Sequence, residues 1–91
     1  MKHTLTRIKE ILNEGKIEEG IALLNEYLKE NSQDDEAYYL LGNFYRRKED
    51  WKMALNNFQK AMDLNPESPA AEAYKMIVKI LEFYNKDIYN H

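Results

Sequence analysis

The side chains that carry most enzyme chemistry are few in this chain and lie far apart. The histidines, His3 and His91, stand near opposite ends of the 91 residues, and neither has a ligand partner at helical spacing. No metal site is expected from them. Ser32 and Ser68 occupy turn-like stretches with no histidine close by in sequence, so no nucleophile is paired with a base. The absence of cysteine removes thiol catalysis, disulfides and the usual zinc frameworks. The adjacent carboxylates Glu18-Glu19 and Asp34-Asp35 fall where helices should begin, and acidic groups are favoured at that end of the helix dipole. The three glycines are scattered, which leaves no phosphate-cradling loop. Neither catalysis nor a cofactor is expected.

The elements that position these residues are bounded by composition. Hydrophobic residues make up 44% and charged residues 32%, the balance of a folded single domain. The net charge is −3 with no basic cluster, which speaks against nucleic acid, since phosphate binding needs a concentrated positive surface. No apolar run has the length of a membrane span, and the first residues carry no stretch like a signal peptide. A cytoplasmic protein is expected.

Polar breaks recur at Asn13-Glu14-Gly15-Lys16, Asn31-Ser32-Gln33-Asp34, Arg46-Arg47-Lys48-Glu49-Asp50 and Asn65-Pro66-Glu67-Ser68-Pro69. Between them the apolar residues repeat at three- and four-residue spacing, as in Leu5, Ile8, Ile11 and Leu12, or Ile17, Ile21, Leu24 and Leu28. The pattern predicts an all-α protein of five helices and no strands: Thr4 to Asn13, Ile17 to Glu30, Asp35 to Arg47, Trp51 to Leu64, and a longer one from Pro69. Asp34, Asp50 and Ser68 are the expected N-caps, and Pro69 suits a first helical position. Short connections make successive helices antiparallel neighbours.

Sliding the chain against itself by 34 residues sets Gly20 on Ala54, Ile21 on Leu55, Leu24 on Phe58, Leu28 on Met62 and Ala37 on Ala71. Such a period, with two helices per unit, marks a stacked helical array. Within one unit stand Tyr38, Leu41-Gly42, Tyr45, Ala54, Phe58, Ala61 and Pro66. In these residues the chain resembles the tetratricopeptide repeat family. The resemblance implies a short right-handed superhelix made of a degenerate repeat (1–34), a well-matched repeat (35–68) and a C-terminal capping helix (69–91). Gly42, Ala54 and Ala61 should let helices approach closely, with Tyr38, Leu41, Tyr45 and Phe58 interlocking around them and Trp51 mostly buried.

The resemblance also implies a non-catalytic protein–protein interaction module. In the family the first helices of successive repeats line a concave groove. The matching positions are Lys2, Leu5, Lys9, Leu12 and Asn13, then Glu36, Tyr39, Asn43, Arg46 and Arg47, then Ala70, Ala73, Ile77, Ile80 and Leu81. The expected binding residues are Lys9, Tyr39, Asn43, Arg46 and Arg47, and the guest is an extended peptide or an amphipathic helix. Some members clamp a peptide carboxylate with Lys, Asn and Arg, but Leu5, Tyr39 and Ala73 stand here where that clamp wants polar groups.

The last helix departs from a simple cap. Tyr74, Ile77, Val78, Leu81, Tyr84 and Ile88 form one stripe and Ala73, Met76, Ile80 and Phe83 widen it, so the apolar arc spans roughly 240° of the wheel. A terminal cap should be polar outside. Either this helix folds back over Leu5, Leu12 and Tyr39, or Met76, Ile80 and Phe83 meet another chain. The alternative to a peptide-binding module is thus a structural protein that homodimerises through this helix and has no free groove.

Overall fold

The computed structural model describes residues 2–84, with side chains from 4 to 83. Ile88 and His91, named above, and the side chains of Lys2, His3 and Tyr84 lie outside what is described. Five α-helices follow in order and the described residues contain no strand: α1 (Lys2–Asn13), α2 (Ile17–Glu30), α3 (Asp35–Arg47), α4 (Trp51–Leu64) and α5 (Ala70–Tyr84). Each helix packs on its neighbour in sequence, and α1 also touches α3.

The helix starts are set by local chemistry. Asp34 Oδ1 accepts from the Glu36 and Ala37 amides at 3.0 and 3.4 Å, and Asp50 Oδ1 accepts from the Met53 amide at 3.2 Å. Ser68 Oγ accepts from the Ala70 amide at 3.0 Å. Pro69 lies just before α5, yet its carbonyl already accepts from the Ala73 amide at 3.2 Å. These bonds satisfy amides that a helix N-terminus leaves open.

The turns inside the two hairpins are built alike. After α1, the Gly15 amide donates to Leu12 O and the Lys16 amide to Ile11 O; after α3, the Glu49 amide donates to Arg46 O and the Asp50 amide to Tyr45 O. Both middle residues take positive φ, 79° at Gly15 and 64° at Glu49. This left-handed helix ending suits glycine and strains a residue with a side chain.

Two phenyl rings key the packing. The Phe58 ring of α4 sits on Gly42 of α3, where a Cβ would lie 2.5 Å from Phe58 Cε1. The Phe44 ring of α3 sits even more tightly on Gly20 of α2. Both rings are fully buried. One cluster joins Leu5, Ile8, Ile11, Ile21 and Leu24 to Leu40, Leu41 and Phe44 of α3. A second joins Ala54, Phe58 and Ala61 of α4 to Ala70, Ile77 and Leu81 of α5, with Trp51 only half-buried at its edge.

The 34-residue frame does not carry into α5. In that frame Ala71 would match the buried Ala37, and Lys75-Met76 would match Leu41-Gly42. The buried residues of α5 fall instead at a spacing of 33: Ala70 against Ala37, both inaccessible, and Ile77 against Phe44, at 1% and 0% exposure. Lys75 and Met76 are exposed. The physical reason is the cost of burying an ammonium group at the leucine position. A turn of the helix about its axis keeps Lys75 in water and puts Ile77 and Leu81 on α4.

The Tyr27 hydroxyl donates to Asp34 Oδ2 at 2.6 Å, tying the end of α2 to the cap of α3. That hydrogen bond, helped by burial and by the charge of Asp34, pushes the phenol up to about 12 from 10.0. The neutral phenol is the form the fold prefers, so its contribution to stability is intact below pH 10 and is lost as pH rises through about 12. Subtracting the alkaline absorbance titration of Tyr27→Phe from that of the wild type should leave one phenol with the raised value. A midpoint at the ordinary tyrosine value would remove the bond. In urea unfolding, Gly42→Leu should cost about 1–3 kcal/mol through overpacking against Phe58. Glu49→Gly should gain about 1 kcal/mol by relieving the left-handed backbone. Equal midpoints for wild type and both variants would contradict the packing and the turn.

Candidate functional site

The first helix of each unit contributes one wall to a shared cleft. A cavity of about 330 Å³ is lined by Lys9 of α1, by Asp35, Glu36 and Tyr39 of α3, and by Ser68 and Pro69 before α5. A second, of about 320 Å³, is lined by Tyr39, Asn43 and Arg46 of α3 and by Pro69, Glu72, Ala73 and Met76 at α5. Tyr39 borders both, so the two read as one cleft with this ring at its midpoint. The ring packs on Phe58 with centroids 5.8 Å apart, which fixes it to the core while leaving it half-exposed.

Lys9, Tyr39, Asn43, Arg46 and Met76 are thus brought together. The Lys9 ammonium is held 2.8 Å from Glu36 Oε2, an ion pair that joins α1 to α3. The Arg46 Nε donates to Asn43 Oδ1 at 3.4 Å, and Arg47 reaches back across the first repeat to the Leu12 carbonyl at 3.5 Å. Lys48, next in sequence, turns away to Glu18 Oε2 at 2.7 Å, and that contact raises its affinity for its proton. Among the described residues neither Arg46 nor Arg47 has a carboxylate within ion-pair distance.

Other expected groove positions are placed elsewhere. Leu5 is buried in the first cluster, and Ala70, Ile77 and Leu81 are buried against α4. With the one-residue slip, α5 presents Glu72 and Met76 to the cleft beside Ala73. Ile80 and Phe83 continue the Met76 flank at four- and three-residue steps, with Met76, Ile80 and Phe83 exposed by 60%, 36% and 78%. The fold-back over Leu5, Leu12 and Tyr39 does not occur over the described length of α5.

A cavity of about 450 Å³ that the sequence did not announce lies between α1 and α2, lined by Thr4, Arg7, Ile8, Leu23, Glu26 and Tyr27. Tyr27, one of its lining residues, stands 34 residues before the small, buried Ala61. The polar groups here are engaged: Arg7 with Glu10 at 3.3 Å, Glu26 with Lys29 at 3.0 Å, and Tyr27 with Asp34.

Four of the residues weighed above for catalysis have structural roles. Ser68 Oγ and Asp34 are caps, Asp35 Oδ2 accepts from Asn65 Nδ2 at 3.2 Å, and Glu18 pairs with Lys48. No group of three or more metal-ligating side chains forms among the described residues, and none of their helices is long and apolar enough to cross a membrane.

Stacked antiparallel hairpins with a cleft along their first helices define a helical-repeat protein. The tetratricopeptide repeat model matches residues 35–68. The solution NMR structure of the Bacteroides fragilis protein BF1650 superposes with a TM-score of 0.88 at 53% identity, over 99% of this chain and 91% of that one. No curated protein matches. The chain belongs to the tetratricopeptide repeat proteins, which are generally non-catalytic and bind other proteins.

Because Arg46 and Met76 project from the cleft walls and support no core contact, Arg46→Ala and Met76→Ala should each leave urea unfolding within about 0.5 kcal/mol of wild type. A larger loss would make these side chains part of the fold rather than of a surface left open.

Proposed function

We propose that this protein is a non-catalytic, cytoplasmic interaction module that holds a segment of a partner protein in the cleft bordered by Lys9, Tyr39, Asn43, Arg46 and Met76. Arg47, Ile80 and Phe83 extend that surface at its open end. The observation that carries the reading is the double role of Tyr39: its ring rests on the core at Phe58 and faces both cleft cavities. A rigid aromatic flanked by polar side chains is a favourable anchor for a peptide, since its area is buried at little conformational cost. The cavity between α1 and α2 is apolar too, but its charges are already paired.

Selection of peptides from a random display library on the immobilised full chain tests this. Bound peptides should shift the backbone amides of α3 and α5, and Arg46→Glu should change their affinity about tenfold without changing stability. Peptides that instead map to Thr4, Leu23 and Tyr27 would move the function to the other cavity.

A further inference from the structure

The cleft has a polarity that selects its guest. On α5, Ala73, Met76, Ile80 and Phe83 recur at three-, four- and three-residue steps, the spacing of a coiled-coil seam. Ala73 and Met76 line the cleft, and Ile80 prolongs the same flank. Cations border this half on both sides. Arg46 faces Met76 and Glu72 across the cleft, while Arg47, next in sequence, is turned to the Leu12 carbonyl of α1. Lys79 sits three residues beyond Met76 and, at the 33-residue correspondence of α3 and α5, at the level of Arg46. None of the three has a carboxylate partner among the described residues, whereas Lys9 at the other end is satisfied by Glu36.

Resting on the cleft reading above, we propose that the guest is an amphipathic α-helix whose apolar stripe meets Ala73, Met76 and Ile80 and whose flanks carry carboxylates opposite Arg46 and Lys79. The seam from Ala73 to Phe83 covers about 15 Å, the length of three helical turns. A second copy of this chain is a poorer occupant. Two-fold antiparallel pairing of the seam sets Met76 against Ile80 of the other copy and places the axis beside Val78. The two Lys79 ammonium groups would then lie close to the axis and to one another, with only Glu82, three residues along each helix, to offset them.

The test uses the full chain and designed peptides of about 14 residues. One is helix-forming, with leucines at seam spacing and glutamates on both flanks. A second carries lysines in place of the glutamates, and a third is the acidic peptide broken by a central proline. Fluorescence anisotropy gives affinities, and amide shifts locate the contacts. The acidic helix should bind about tenfold more tightly than the basic one, weaken as salt is raised, and lose most of its affinity in Met76→Glu and Arg46→Glu. Equal binding of the proline-broken peptide at the same amides would overturn the helical guest while leaving the cleft reading intact. Equal or tighter binding of the basic peptide would overturn its charge. Silence of the cleft amides to all three peptides would sink both this inference and the cleft reading. A concentration-dependent dimer that Met76→Glu abolishes, seen by sedimentation, would assign the seam to a second copy.

Discussion

Two aromatic rings pressed onto two glycines set the distances between the helices. Phe58 on Gly42 closes the second hairpin, and Phe44 on Gly20 docks that hairpin onto the first. Each ring needs a partner helix without a Cβ at the contact, and each is buried completely. Close-packed interiors transmit such displacements, so the position of Tyr39, which leans on Phe58, follows from the same contact. The floor of the cleft is in this sense an outer layer of the core.

The slip of one residue in α5 matters more for the site than any feature of the well-matched repeat. Had α5 kept the 34-residue frame, Ile77 and Leu81 would face the cleft and Met76 would be buried. With the slip, α5 offers the cleft a narrower apolar seam beside Glu72 and Lys79. The wide apolar arc is therefore divided: Ala70, Ile77 and Leu81 lie on α4, Ala73 and Met76 line the cleft, and Ile80 and Phe83 are exposed.

Most of the helical framework was legible in the residues. Asp34, Asp50 and Ser68 announced helix starts through their capping chemistry, and Tyr38, Leu41, Gly42, Ala54, Phe58 and Ala61 carried the repeat. That Lys9, Tyr39, Asn43 and Arg46 border one cleft was implied by the family resemblance, whereas the period by itself shows only that Tyr39, Asn43, Arg46 and Arg47 share a helix face. What stayed hidden depends on contacts between units. Gly20 looks like a departure from alanine until Phe44 is seen on it. An apolar arc of roughly 240° is compatible with several rotations of α5, and only the packing on α4 chooses among them. Glu49 falls on Gly15 in the 34-residue alignment, yet a glutamate gives no sign of left-handed backbone.

The contact pattern also has a kinetic side. Among the described residues each helix packs on its neighbours in sequence, and α1 also reaches α3. Closing such short loops costs little entropy, and helical chains with local contacts reach the native state within about microseconds to milliseconds. The hairpin of α3 and α4, which is the most closely packed, is where that process has most to gain by starting, with the outer helices zipping onto a formed centre.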